Sequence, residues 1–258
     1  MEQTLLNYQA TDKLLEGQSI LITGAANGLG CALAKAAANL GATVILLDRE
    51  LRRLETVYDE IESAGGPQPA IYPLDLGGAT DKDYLDLANN IDQELHQLNA
   101  IVHCAVAISP PAPIDHYSSS DWLKMMQTNL NAPFMLTKAC LPLLKKSDSA
   151  RIIFSTDNKS RAYWGAIGVA KAGIESLTKI LAHEAEPADA DSPVKLTVNA
   201  IDPGPMRTRS RGLVYPGEAR DDLPSVESRV APYLYLLSPE GLNLNGQVFR
   251  YTDKNSPA

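Results

Sequence analysis

A glycine-rich turn between an apolar strand and an alanine-rich helix constrains the fold of this chain most strongly. The strand Ser19–Thr23 reads S-I-L-I-T, the turn after it reads G-A-A-N-G-L-G, and Gly30–Leu40 has the apolar spacing of a helix. Gly41 then stands where a helix usually ends, and Thr43–Leu47 (T-V-I-L-L) is a second apolar run of strand length. Strand, helix and strand in this order predict a βαβ unit with two parallel strands.

Strands and helices continue to alternate to the end of the chain. Further strands are predicted at Ala70–Leu74, Ala100–Cys104, Arg151–Ser155, Val194–Ile201 and Gln247–Tyr251. Further helices are predicted at Leu51–Ala64, Asp81–Leu95, Ser118–Lys146 (with bends at Pro133 and Pro142), Gly165–Glu184 and Ser225–Leu237, the last after an irregular Arg- and Pro-rich stretch. All-apolar strands that alternate with helices are typical of a parallel sheet covered on both faces. The sequence therefore predicts an α/β Rossmann-type doubly wound sheet with helices on both faces.

Length and composition fit one domain of this kind. The 258 residues are 45% apolar and 21% charged, which argues against disorder and coiled coil. We expect a polar leader at 1–13, the domain at 14–251 and a tail at 252–258. The net charge of −8 opposes binding to nucleic acid or to an anionic membrane surface. No apolar run approaches the roughly 20 residues of a membrane span.

The N-terminus and the cysteines indicate a cytoplasmic protein. The N-terminus lacks the basic start and apolar core of a signal peptide. Cys31, Cys104 and Cys140 have no metal-ligand spacing, so no metal site is expected. An odd number of cysteines without a signal peptide indicates reduced thiols.

The three glycines of the first turn predict a site for a pyrophosphate. Glycine at 24, 28 and 30 permits unusual φ angles and lets backbone N–H groups approach an anion at the positive end of the helix. A purely structural glycine turn is the alternative. The strand before the turn and the helix after it are those that the dinucleotide-binding motif requires, which favours the functional interpretation.

Two carboxylates follow the next strands. Asp48 ends the second strand, where a carboxylate can accept both hydroxyls of the adenosine ribose and would repel a 2′-phosphate. This favours NAD(H) over NADP(H), although the neighbouring Arg49 could offset part of the repulsion. Asp75, in L-D-L, could accept a hydrogen bond from the adenine amino group, or it could be a solvated turn residue.

With these motifs the chain resembles the short-chain dehydrogenase/reductase family from about Leu14 to Arg250. The resemblance rests on T-G-x-x-x-G-x-G at 23–30, on T-N-L-N-A-P-F around Asn129, and on N-x-x-x-P-G-x-x-x-T from Asn199 to Thr208. It implies a dinucleotide-binding domain and hydride transfer between a nicotinamide and a small alcohol or carbonyl compound. It also implies a homodimer or homotetramer through the helices Ser118–Lys146 and Gly165–Glu184. The candidate cofactor-binding residues are Gly24, Asn27, Gly28, Leu29, Gly30, Asp48, Arg49, Asp75, Leu76, Ala105, Lys171, Pro203, Gly204 and Thr208.

The family's chemistry resides in a serine, a tyrosine and a lysine, the last two in Y-x-x-x-K on one helix. The lysine matches Lys171, but Ile167 stands four residues earlier, so the catalytic tyrosine is expected to be absent. Tyr163 is expected on the same helix, about 80° around and ~12 Å along, and so cannot replace it. The serine position falls on Asp157, or on Thr156 or Ser155 if the register slips. The resemblance gives Asn129 a place in a proton relay, with a helix kink as the alternative.

Other charged and polar residues near these motifs have two interpretations each. Asp157 could form an ion pair with Lys171, or act as an acid or base if its pKa is raised. His103, in H-C-A-V where the family has N-N-A-G, is expected to be a hydrogen-bonded or solvated histidine, and Val106 is expected to crowd the backbone near the adenosine ribose. Four arginines could favour an anionic substrate or could belong to a solvated loop: Arg207, Arg209, Arg211 and Arg220.

Two functions of different classes follow. The first is an NAD(H)-dependent oxidoreductase of the short-chain type with an atypical active site. Loss of one general acid or base typically costs only about 10²–10⁴-fold, so activity can survive the missing tyrosine. The alternative is a catalytically impaired NAD(H)-binding scaffold or sensor subunit. A protein that has also lost the cofactor is a third possibility, against which the intact glycine turn argues.

Overall fold

The computed structural model describes residues 5–157, 159–186 and 196–251. Its strands are β1 (Ser19–Thr23), β2 (Thr43–Asp48), β3 (Ala70–Pro73), β4 (Ala100–His103), β5 (Ala150–Ser155), β6 (Leu196–Asp202) and β7 (Val248–Arg250). Its α-helices are α1 (Gly28–Asn39), α2 (Leu51–Ser63), α3 (Asp81–Leu95), α4 (Ser119–Met126), α5 (Ala132–Leu144), α6 (Gly165–Glu184), α7 (Arg209–Val214) and α8 (Ala231–Leu237). Short 3₁₀ turns lie at Ile114–His116, Arg220–Asp222, Glu227–Arg229 and Pro239–Asn243.

The strands form one parallel sheet in the order β3-β2-β1-β4-β5-β6-β7. β1 pairs with β2 on one side, Ser19 opposite Thr43, and with β4 on the other, Ile20 opposite Ala100. The order of the strands therefore reverses between β1 and β4. In such sheets a crevice opens outside the carboxyl ends of the strands at the point of reversal. The predicted doubly wound α/β fold is confirmed.

Two hydrophobic layers cover the two faces of the sheet. Ile20 and Ile22 of β1 pack with α1, α2 and α8, whereas Leu21 packs with α3, α5 and α6. Successive side chains of a strand point to opposite faces, so the middle of a central strand is apolar toward both faces. All five residues of β1 are buried, which explains why its sequence shows no polar alternation.

The predicted helix Ser118–Lys146 is interrupted, and the interruption differs from the prediction. α4 passes into a π-helical turn at Gln127–Asn131, and α5 begins after it. Pro133 lies in the first turn of α5, where a proline is tolerated because the N–H that it lacks is not needed for a helical hydrogen bond. The wider π-helical turn comes directly before it. Pro142 lies inside α5 without interrupting it, so the bend predicted there is wrong.

Two further predictions need correction. The helix predicted at Ser225–Leu237 is a 3₁₀ turn at Glu227–Arg229 followed by α8, because Pro232 fits only the first turn of an α-helix. The stretch predicted to be irregular contains α7, whose N-terminus is capped by the Thr208 hydroxyl accepting from the Arg211 N–H at 3.1 Å.

Part of the N-terminal leader packs on the domain. Leu5 is 1% exposed within the core layer of α1, and the ring of Tyr8 meets that of Tyr235 edge to face at 5.1 Å. The residues 1–4, the start of the strand predicted from Val194, and the tail 252–258 lie outside the described residues. Within the described ranges, no helix is both long and apolar enough to cross a membrane.

Candidate cofactor and catalytic site

One cleft at the carboxyl ends of the strands brings the candidate residues together. Every predicted cofactor-binding residue lines it, from Gly24 in the first turn to Thr208 before α7. Asp157 and Ile167 line the same cleft, next to Lys171. Asn129 does not. Among the described residues, no cluster of His, Cys, Asp or Glu is placed to hold a metal ion.

The first turn forms a cradle with no room for a side chain. Gly24 has φ +71°, and a Cβ there would lie 2.9 Å from the Ala105 backbone. The N-terminus of α1 is open, since no acidic residue lies in its first turn and the Asn27 side chain makes no capping bond. Asn27 instead accepts a hydrogen bond from Arg53. Free N–H groups at a positive helix end suit a pyrophosphate, so this part of the cleft fits a dinucleotide.

At the end of β2, the side chain of Arg49 is more exposed than that of Asp48. One Asp48 carboxylate oxygen accepts the Glu50 N–H at 3.1 Å, and the other accepts the Ala26 N–H at 3.4 Å. Arg49 is exposed and lines the cleft. Arg53 is held by Glu50 at 2.8 Å as well as by Asn27. Asp48 therefore holds its own turn together, and Arg49 is left to meet a ligand.

At the other end of the cleft, Lys171 is positioned by the end of β5. Its Nζ donates to the Ser155 carbonyl at 2.8 Å, and the residue is 6% exposed. Burial lowers the pKa of Lys171, and the negative charge of Asp157 opposes that shift. Ile167 lies one helical turn earlier on α6. It lines the cleft, and 7% of the residue is exposed.

Asp157 forms its ion pair with Lys159 and not with Lys171 as predicted. The Asp157 carboxylate contacts Lys159 Nζ at 3.1 Å and acts on Lys171 only through space. The two alternative positions for the serine have other partners. The Ser155 hydroxyl lies 2.9 Å from that of Tyr233, and the Thr156 hydroxyl donates to the Lys171 carbonyl at 3.4 Å.

Asn129 lies in the π-helical turn and makes hydrogen bonds to the loop that follows β4. Its Oδ1 accepts the Ala107 N–H at 3.1 Å, and its Nδ2 donates to the carbonyls of Ala107 at 2.9 Å and Met125 at 3.0 Å. The residue is 1% exposed. Ala107 lines the cleft, so Asn129 supports the wall of the cleft from behind.

Tyr163 lies outside the helix on which it was predicted. α6 begins at Gly165 with Trp164 as its N-cap, and Tyr163 precedes both with φ +73°. Its side chain is 59% exposed and does not line the cleft. This placement agrees with the expectation that Tyr163 cannot take the position of a phenol at residue 167.

His103 and Val106 follow β4. His103 is buried, stacks on Phe154 at 4.7 Å and has Nε2 3.0 Å from the Thr137 hydroxyl. Burial lowers the pKa of His103 to about 3, and the positive charge of Lys171 acts in the same direction. Val106 lines the cleft with 42% of its side chain exposed.

The structure adds a group of residues that the motifs did not reveal. Lys159 Nζ lies 4.8 Å from the centre of the Trp164 ring and 5.9 Å from that of Tyr215. Arg211 stacks on Tyr215 at 3.7 Å and forms two hydrogen bonds to Glu218, at 2.6 and 2.7 Å. These side chains line the same cleft as Ile167. Lys159 follows β5 in an irregular loop, so no periodicity or motif could have indicated it.

The four candidate arginines do not form one anion site. Arg207 and Arg209 line the cleft with Arg211, whereas Arg220 does not. Arg211 is engaged by Glu218, and Arg207 lies 3.8 Å from Asp221.

Comparisons with known proteins agree with this geometry. The family model described as short chain dehydrogenase matches residues 18–218. The uncharacterised oxidoreductase YciK of Escherichia coli strain K12 is 34% identical over 247 residues, which is 95% of either chain. A solved Pseudomonas syringae structure, assigned as a short-chain dehydrogenase, superposes with a TM-score of 0.90 at 41% identity, covering 95% of this chain and 98% of that one.

Two further structures overturn the predicted preference for NAD(H). A short-chain dehydrogenase of Shigella flexneri 2a strain 301 was solved with NADP, and one of Escherichia coli CFT073 with NADPH. Each is 34% identical with a TM-score of 0.88 and covers 93% of this chain and 99% of its own. The prediction of NAD(H) was wrong because it assumed a free carboxylate at Asp48, whereas both oxygens of that carboxylate are engaged by backbone N–H groups.

Proposed function

Because this chain belongs to the short-chain dehydrogenase family and is an oxidoreductase of that type, we propose that it uses NADP(H) to interconvert a carbonyl compound and an alcohol. The observation that favours NADP(H) over NAD(H) is the arrangement of Asp48 and Arg49 at the end of β2. Asp48 is turned to its own backbone, and Arg49 stands exposed at the rim of the cleft. A guanidinium in that position suits a 2′-phosphate.

The residues of the cleft fit the parts of this cofactor in order along the sheet. The cradle of Gly24 and the open N-terminus of α1 would hold the pyrophosphate, and Arg49 would hold the 2′-phosphate. Lys171 would hold the nicotinamide ribose, since its buried ammonium is fixed by the end of β5. When bound, the nicotinamide supplies or accepts a hydride. Ile167 offers an apolar wall at the point where the family has its tyrosine, which makes the site atypical.

The test is binding followed by turnover. NADPH and NADH are titrated against the protein by the rise in dihydronicotinamide fluorescence, and NADPH should bind at least about tenfold more tightly. A panel of aldehydes, ketones and oxoacyl thioesters is then assayed for NADPH oxidation. Tighter binding of NADH, or no oxidation with any carbonyl, would refute the proposal.

A further inference from the structure

The cleft holds a second lysine, Lys159, near the start of the helix that carries Ile167 and Lys171. Trp164, Ile167 and Lys171 are spaced three and four residues apart at the start of α6, so they share one face of the helix. All three line the cleft. Lys159 also lines the cleft, and its Nζ lies 4.8 Å from the centre of the Trp164 ring.

The backbone of Lys159 packs against helix α6. A Cβ on Gly168 would lie 3.1 Å from the Lys159 carbonyl carbon, so the loop after β5 rests directly on α6. Gly168 follows Ile167 in the chain. A larger residue at 168 would push this loop away, and the close approach holds the Lys159 backbone against the residue that follows Ile167.

The charges around Lys159 hold its ammonium in place. Asp157 contacts it at 3.1 Å, and the rings of Trp164 and Tyr215, whose centres are 5.7 Å apart, lie 4.8 and 5.9 Å from its Nζ. Only 11% of the Lys159 side chain is exposed, whereas 39% of the Asp157 side chain is, so solvent screens part of the attraction between them. The same carboxylate acts on Lys171, so Asp157 links the ribose-binding lysine with the second one.

We propose that Lys159, positioned by Asp157, donates the proton in carbonyl reduction in place of the absent tyrosine. This inference rests on the proposed function, which supplies NADPH as reductant. As a hydride with its electron pair reaches the carbonyl carbon, the π pair of the C=O bond moves to the oxygen. That oxygen takes a proton from the Lys159 ammonium, whose N–H electrons stay on nitrogen. The neutral amine then regains a proton from water at the open side of the cleft.

The first test is binding and does not depend on turnover. An ammonium beside the nicotinamide repels the positive ring of NADP⁺ but not the neutral ring of NADPH. The Lys159→Gln variant should therefore raise the affinity for NADP⁺ relative to NADPH by about threefold to tenfold, the effect of removing one nearby unit charge in a solvated cleft. Lys159→Arg keeps the charge and should leave this ratio unchanged, as should the control Lys179→Gln on the exposed side of α6. An unchanged ratio in Lys159→Gln would overturn the placement.

The second test is reduction of the best carbonyl from the panel. Lys159→Gln should lower kcat by about 10²-fold or more with little change in NADPH affinity. Lys159→Arg should also lower kcat, because a guanidinium does not release its proton near neutral pH. Equal thermal unfolding midpoints would show that the variants fold.

The outcomes separate the inference from the proposed function. If wild type reduces a carbonyl with NADPH and Lys159→Gln has the same kcat, the inference is wrong and the function stands. A higher KM with unchanged kcat would also overturn it, since Lys159 would then bind substrate without donating a proton. If wild type binds NADPH but reduces no carbonyl of the panel, the proposed function fails and the inference fails with it.

Discussion

Replacing Arg49 by glutamine should weaken NADPH binding and leave NADH binding almost unchanged. Arg49 is exposed at the rim of the cleft, next to the end of β2. The Asp48 carboxylate accepts two backbone N–H groups and so is held in its own turn. Of the two, only Arg49 is open to attract the 2′-phosphate, which NADH lacks.

The magnitude follows from the exposure of the guanidinium. Two unit charges 4 Å apart attract by about 1 kcal/mol in water and about 4 kcal/mol near a protein surface. An exposed side chain belongs near the lower value, so Arg49→Gln should cost about 1–2 kcal/mol, or roughly fivefold to thirtyfold in NADPH affinity. Because the pair is exposed, the loss should shrink as salt is raised.

The assay is titration of NADPH and NADH by fluorescence at low and at high salt. Arg52→Gln is a matched control, because Arg52 is also exposed on α2 but does not line the cleft. Its NADPH affinity should equal that of the wild type. If Arg49→Gln and Arg52→Gln bound NADPH equally well, or if Arg49→Gln lost NADH affinity to the same extent, the assignment of the 2′-phosphate site would be refuted.

Three other properties can be tested on the protein without ligand. In urea titrations, Gly24→Ala should lower the free energy of unfolding by more than about 2 kcal/mol, since its Cβ would meet the Ala105 backbone. Gly17 has a similar φ but lies in open space, so Gly17→Ala should lower the free energy of unfolding by only about 1 kcal/mol. His103 has a pKa of about 3 when folded and near 6.5 when unfolded, so the unfolded state binds the extra proton between these values. The stability should therefore fall by about 2 kcal/mol from pH 7 to pH 5, and His103→Gln should not show that part of the loss. Val169 and Ile180 on α6 are about half exposed, so light scattering should find a dimer or tetramer, and glutamate at both positions should yield a 27.8 kDa monomer.

Local signals in the sequence determined most elements and one end of the site. Gly165–Glu184 was predicted with the bounds of α6 and Asp81–Leu95 with those of α3, where Thr80 and Asp83 form a capping box that depends on only a few neighbouring residues. The turn of the glycine cradle also follows from the local chain, because φ above zero favours glycine. The spacing of Ile167 and Lys171 sets them one helical turn apart in any context.

Only the tertiary structure decided which way the charged groups of the cleft face. The carboxylate of Asp48 turned inward because the Ala26 and Glu50 N–H groups come within reach of it once β1 and β2 pair. Lys159 found its partners in Asp157 and in rings contributed by the start of α6 and the segment after α7. Residue type and spacing specify secondary structure because those interactions are local. The partner of a long charged side chain depends on segments that are distant in the chain, and folding alone brings them together.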